Sequence, residues 1–273
     1  MLRLSPQLLE KTQHIAEQAG KYLTEFYTGV SQRELNIQTK ADDTPVTAAD
    51  LFLSQFLIEK LTTLTPNVPI LSEENCKVPF ETRAMWQEYW LIDPLDGTQQ
   101  FINRTDQFAV LITLVQHRRP VLSIIHAPIL QITYYAMQGL GAYKKSKDTV
   151  TKLQPQGAPQ QRVIKVGVGS QSAKRKVQPL LNPDYQYQFI IYGSCGLKSG
   201  LVSEGSCDCY VRLGRTGEWD TAPAEVLLAE LGGGIFDFHF QALTYNQRDN
   251  FTNPNFVMVA NTTFDWQKIF KFN

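Results

Sequence analysis

Residues 90–101 read WLIDPLDGTQQF. An apolar run goes straight into Asp93, a second acid, Asp96, follows three residues later, and Gly97 and Thr98 come next. Asp, Pro and Gly are all turn formers, so the fragment on its own reads equally well as a β-turn. A strand end, however, projects its side chains beyond the sheet, and Pro94 forbids a continued ladder. A bend between the two acids can bring both carboxylates to one point. Two anions held that close repel unless a cation lies between them. An all-oxygen set without His or Cys suits a hard ion, Mg²⁺ above all. If a helix starts at Gly97–Thr98, its unpaired N–H groups form a phosphate site, and Gly97 permits close backbone approach.

Three other stretches carry acids of interest. VPILSEEN (residues 68–75) reads as a strand ending in Glu73 and Glu74, which alone are ordinary surface acids. WDTAPAEVLLAE (219–230) reads as a helix with Asp220 as N-cap and Pro223 in the first turn. An N-cap carboxylate keeps a second oxygen for a metal. TAAD (47–50) has the form of a capping box ahead of an apolar helix carrying Phe52, Leu53, Phe56, Leu57 and Leu61.

Upstream, residues 6–27 have helical spacing, and TGVSQRELNIQTKADDTP (28–45) reads as loop with at most one short strand. Downstream, FAVLITLVQ, PVLSIIHAP and ITYYAM read as successive strands, the first two joined by an HRRP turn. Helices first and a meander next predict α+β layering, not a doubly wound sheet. Residues 146–162 are polar with two prolines and mark the boundary between subdomains 1–155 and 156–273. Beyond it, VIKVGV, YQFIIY, CDCYVRL and NFVMVA read as strands. Residues 171–181, GLKSGLVSEG and TAPAEVLLAELGG read as helices.

Apolar residues make up 43% of the 273, and Lys+Arg and Asp+Glu are both 26. That balance argues against a nucleic-acid polymer or an anionic membrane as partner and leaves room for a small anionic ligand. The four cysteines form no CxxC pair and the four histidines are scattered, which argues against zinc. Free thiols, no signal-peptide core and no apolar run of bilayer length make a cytoplasmic location the expectation.

Taken together, PVTAADLF, ILSEEN, WLIDPLDGTQQFI and GEWDTAPAEVLLAELGG resemble the Mg²⁺-dependent, lithium-sensitive phosphatases of the inositol monophosphatase superfamily. They occur in the family's order across nearly the whole chain. KADDTPVTAAD, GLKSGLVSEGSCDCYVRLGRTGEWDTA and YNQRDNFTNPNFV resemble its 3'(2'),5'-bisphosphate nucleotidase branch most. The resemblance implies a layered αβαβα sandwich of two subdomains with the site between them. It implies removal of the 3'-phosphate of 3'-phosphoadenosine 5'-phosphate, giving AMP, in the setting of sulfur assimilation. Glu73, Asp93 and the Leu95 carbonyl would hold one Mg²⁺, and Asp93, Asp96 and Asp220 a second. A third, weaker ion would sit near Glu73. Asp50, acting through Thr98, would orient and deprotonate the attacking water. Gly97, Thr98, Ser194, Lys198 and Asp220 would contact the substrate, a small phosphorylated nucleotide. The superfamily includes monomers and homodimers.

Two departures stand out. Where bisphosphate nucleotidases carry a Ser-Arg-Ser-His-like stretch, this chain has VGVGSQSAKRK, keeping Ser170 and Ser172. Lys174 and Arg175, a little further on, are candidates for the second phosphate and read equally as a solvated basic turn. Where inositol monophosphatases place a Glu before the Trp-Asp pair, this chain has Leu213, and the nearest acid is Glu218. An inositol or sugar monophosphatase is the second reading, and a catalytically silent binder of phosphorylated ligands the third.

Overall fold

The computed structural model describes residues 1–29, 38–39, 45–159 and 163–272. Part of the expected 28–45 loop and the end of the polar stretch before residue 163 lie outside them.

Two helices open the chain. Helix α1 (Pro6–Thr28) is capped by Ser5, whose hydroxyl accepts from the Leu8 N–H, and stops at Gly29 in the left-handed region. The short strands β1 (Gln38–Thr39) and β2 (Pro45–Val46) pair with each other. Helix α2 (Ala48–Leu64) begins on the predicted capping box, with the Thr47 N–H donating to the Asp50 carboxylate at 2.7 Å. Leu53, Leu57 and Leu61 are fully buried, and Phe52 and Phe56 make edge contacts with Tyr22 of α1.

Then come β3 (Ile70–Ser72), the short helix α3 (Phe80–Arg83), β4 (Glu88–Asp96), the short helix α4 (Thr98–Ile102), β5 (Ala109–Gln116), β6 (Arg119–Ala127), β7 (Ile132–Met137), β8 (Gly141–Ser146) and β9 (Thr149–Lys152). Strands β3 to β9 form one sheet in sequence order, antiparallel except for the β3–β4 pair. Strand β9 lies inside the polar stretch read as a boundary; its residues are all exposed, so no hydrophobic alternation marked it.

The second half supplies β10 (Val163–Val168), α5 (Gln171–Val177), β11 (Gln186–Ile191), α6 (Cys195–Ser203), β12 (Cys209–Arg212), α7 (Glu218–Ala229), β13 (Gly234–Asp237) and β14 (Phe256–Val259). Its sheet has the order β11-β10-β12-β14-β13, with β10 parallel to β11 and β12. The chain changes sheet between Lys152 and Val163.

Packing stacks these elements in five layers. One face of the first sheet (Trp90, Ile92, Val110, Ile112, Ile124) packs on α1 and α2. Its other face (Leu71, Leu91, Leu111, Ile125) packs on α6 and α7. Those two helices also meet Tyr210, Phe256 and Met258 of the second sheet. The outer face of that sheet is covered by α5 and the C-terminal segment around Trp266 and Phe270. The molecule is therefore an αβαβα sandwich of the α+β class, as expected. Among the described residues, no helix is long and apolar enough to cross a membrane.

Candidate active site

Strand β4 does not stop at Pro94. Asp93 pairs with Leu111 of β5 and Asp96 pairs with Ala109, so three steps on β4 match two on β5. The extra residue is a β-bulge at the proline, which cannot donate to the ladder. In a regular strand, positions three apart point to opposite faces. The bulge cancels that alternation and puts Asp93 and Asp96 on one face, the face of Leu91 and Leu111 that looks toward α6 and α7. The Asp93 carboxylate folds back over the bulge and accepts the Leu95 N–H at 2.9 Å. Glu73 extends β3 alongside, its N–H donating to the Ile92 carbonyl at 3.1 Å.

The third carboxylate comes from across the layer. Helix α7 begins at Glu218, with Gly217 as N-cap. Asp220 is thus not the cap but the third helical residue, reaching back to accept the Gly217 N–H at 2.6 Å. Pro223 sits inside the helix, not in its first turn. One oxygen each of Asp93, Asp96 and Asp220 lies within 4.8 Å of the others. Glu73 lines the same pocket, outside that triplet. Burial, and then the charges of Glu73, Asp96 and Asp220, push the Asp93 carboxyl well above the usual range. Asp220 is pushed up to about 8, by burial first and then by Asp96 and Glu73.

Asp96 is anchored to the second half of the chain. Its carboxylate accepts the Cys195 N–H at 3.0 Å, the Gly196 N–H at 2.7 Å and the Ser194 hydroxyl. A side chain at Gly196 would stand 2.7 Å from Leu111 and 3.2 Å from the Asp96 carboxylate, so only glycine lets α6 come this close. Lys198 lines the pocket yet is buried, and its ammonium donates to the Tyr192 and Ser194 carbonyls, beside the Tyr210 ring.

Gly97 (φ +94°) turns the chain into α4, a conformation that favours glycine. This sets the Thr98 hydroxyl 3.2 Å from both the Asp50 carboxylate and the Leu95 carbonyl. Asp50 is buried behind Thr98 and is held from the other side by the Thr47 N–H and hydroxyl.

Glu73, the three aspartates, Gly97, Thr98, Ser194 and Lys198 line a recess of about 520 Å³, with Asp50 outside its lining. Lys174 and Arg175 are not among its walls. Both lie on α5, Lys174 with its ammonium 5.1 Å from the centre of the Phe189 ring. Among the described residues, the basic ones that do line it, besides Lys198, are Arg212 and Arg215, which the sequence reading passed over. The Arg212 Nε is buried and reaches no acceptor among the described residues. Strand β12 runs parallel to β10, and its C-terminal end opens toward the crevice where open α/β sheets bind ligands. That rule was the available signal for Arg212. Neither Leu213 nor Glu218, the residues read at the place expected to meet a ring hydroxyl, lines the recess.

The profile of the inositol monophosphatase family matches residues 8–265. The 3'(2'),5'-bisphosphate nucleotidase CysQ of Haemophilus influenzae is 58% identical over 273 residues, covering 100% of both chains. That of Aggregatibacter actinomycetemcomitans is 56% identical over 270 residues, covering 99% of each. Among solved structures, CysQ from Bacteroides thetaiotaomicron, described as a bacterial member of the inositol monophosphatase family, superposes with a TM-score of 0.75 at 27% identity. It covers 92% of this chain and 96% of its own. With the profile spanning nearly all of the chain and relatives this similar end to end, the chain belongs to the inositol monophosphatase family.

Proposed function

We propose that this protein is a Mg²⁺-dependent 3'(2'),5'-bisphosphate nucleotidase that hydrolyses 3'-phosphoadenosine 5'-phosphate to AMP and phosphate. The observation that carries this reading is the recess itself. Three carboxylates converge on one point, and Arg212 and Arg215 line the same recess. The carboxylates suit cations and the guanidinium groups suit a second anion.

The residues fit Mg²⁺. The donor set is all oxygen; burial first, and then mutual repulsion, raises Asp93 and Asp220, and a bound cation relieves the repulsion. Asp93, Asp96 and Asp220, with Glu73 and the Leu95 carbonyl beside them, would hold two or three ions. When bound, Mg²⁺ supplies positive charge against the developing phosphate negative charge and makes water a nucleophile at neutral pH. Thr98 and Asp50 handle the proton. The Thr98 hydroxyl gives its proton to Asp50 while its oxygen takes one from the attacking water. Gly97 and Thr98 hold the scissile phosphate, while Ser194, Lys198 and Asp220 support the substrate pocket.

Arg212 and Arg215 take the second phosphate in place of Lys174 and Arg175. The unsatisfied Arg212 Nε is the donor that a phosphate oxygen would satisfy. Arg212→Met is expected to raise KM for the bisphosphate ~10–100-fold, the worth of a charged hydrogen bond, and Lys174→Met is expected to behave as wild type. Initial-rate measurements with both variants check this.

The proposed subdomain division is at residue 155, with the site at the seam, and the proposed setting is cytoplasmic sulfur assimilation, as a monomer or homodimer. The deciding experiment compares phosphate release from 3'-phosphoadenosine 5'-phosphate, inositol 1-phosphate and AMP with Mg²⁺. Strong preference for the bisphosphate is expected; preference for inositol 1-phosphate overturns the reading.

A further inference from the structure

Glu218 stands two residues before a metal-facing carboxylate, yet its own side chain is fully buried and turned away from the recess. It sits in a buried polar hub. One oxygen accepts the Asn246 N–H at 2.7 Å and the other the Arg248 guanidinium at 3.1 Å. Arg83, 1% exposed, donates to the Asn246 side-chain oxygen at 2.6 Å and to the carbonyls of Arg248 and Asp249. Asn246 returns the contact, its amide donating to the Arg83 carbonyl at 2.6 Å. The Arg83 guanidinium lies 4.2 Å from the centre of the Phe251 ring and 4.9 Å from that of Phe80.

The same segment grips the start of α7 along its backbone. The Glu218 N–H donates to the Phe251 carbonyl at 2.9 Å, and the Asn253 amide donates to the Gly217 carbonyl at 2.6 Å. Residues 216–218, just ahead of Asp220, are therefore held on both sides by residues 246–253.

Arg83 matters because of where it comes from. Helix α3 lies in the connection between β3, which leads to Glu73, and β4, which carries Asp93. The path Arg83, Asn246, Glu218 thus ties the connection between those two strands to the first turn of α7, which carries Asp220. A buried charge keeps its place only while its partners do, since losing one leaves the other uncompensated.

We propose that Arg83 and Glu218 are positioning residues that set the distance between Asp220 and the carboxylates of β4, and so the affinity of the site for divalent metal. The consequence for turnover rests on the phosphatase reading; the consequence for metal binding does not. Partners that orient metal ligands from behind typically contribute 10–100-fold in metal affinity or activity.

The test is a titration of the purified protein with Mn²⁺, followed by its EPR signal, on wild type, Arg83→Met, Arg83→Lys and Glu218→Gln. The melting temperature and the Mg²⁺ midpoint for phosphate release are measured beside it. Arg83→Met is expected to weaken Mn²⁺ binding ~10–100-fold and to raise the Mg²⁺ midpoint in step, with kcat recovering at saturating metal. Lysine at position 83 keeps the charge without the planar fork and restores part of the affinity. Glu218→Gln, nearly isosteric, shifts binding the same way and decides alone if Arg83→Met does not fold. Folded variants that melt earlier but bind Mn²⁺ as wild type does overturn the proposal, because a merely structural brace has that signature. A wild type that binds Mn²⁺ but releases no phosphate overturns the nucleotidase reading and leaves this titration to decide on the clamp.

Discussion

Asp93→Asn is expected to lower phosphate release at least ~10³-fold, about 4 kcal/mol in activation free energy. Asp93 is the carboxylate that both Glu73 and the other two aspartates face: the charges of all three act on it. Neutralising it removes a ligand shared by the proposed ions, so added Mg²⁺ does not rescue the rate. The fold has reason to survive. The Leu95 N–H that Asp93 accepts finds the amide oxygen of Asn in the same place. A buried charge among like charges also disappears, so the metal-free variant is expected to melt no earlier than wild type. The stabilisation that Mg²⁺ gives wild type, by binding only the folded state, is expected to vanish. Thermal melts with and without Mg²⁺, beside initial rates, check both halves. A variant within tenfold of wild-type activity refutes the assignment of Asp93 as the shared ligand.

What the sequence shows of such a site depends on how far each feature reaches. The capping box at Thr47 and Asp50 is local, fixed within one turn, and it appears where the pattern puts it. The acids of DPLDGT are local too, but what makes them converge is not. The bulge that returns Asp96 to the face of Asp93 is defined by a register against β5, which no pattern in residues 90–101 contains. The start of α7 was misplaced for a related reason. Asp220 has the residue type of an N-cap, but the chain upstream is stapled to residues 251–253. That contact across 36 residues holds Gly217 as the cap, so the helix starts early, at Glu218. The basic residues show the limit most clearly. KRK draws the eye as a charge cluster, but helix α5 turns it aside, whereas Arg212 and Arg215 are brought to the recess by strand direction.

Asp50→Asn is expected to give a different lesion from Asp93→Asn. The turnover number falls ~10²–10⁴-fold, the range for a lost general base, while the Mg²⁺ midpoint stays within about threefold of wild type. Among the described residues, Asp50 makes two separable sets of contacts. One oxygen closes the capping box with the Thr47 N–H and hydroxyl, and the other faces the Thr98 hydroxyl at 3.2 Å. An asparagine keeps an acceptor for Thr47, so the first turn of α2 and the core behind it stay in place. The amide nitrogen then faces Thr98 and donates instead of accepting. The Thr98 proton is left to the Leu95 carbonyl, 3.2 Å away, and a carbonyl cannot carry it off. Thr98→Val is expected to match Asp50→Asn, and combining the two adds little, since residues acting as one unit are not additive. Thr98→Ser keeps the hydroxyl and stays near wild type. Measuring kcat and the Mg²⁺ midpoint for all four separates the roles. If Asp50→Asn instead shifts the Mg²⁺ midpoint and leaves kcat alone, Asp50 belongs with the metal ligands and the proton has another destination.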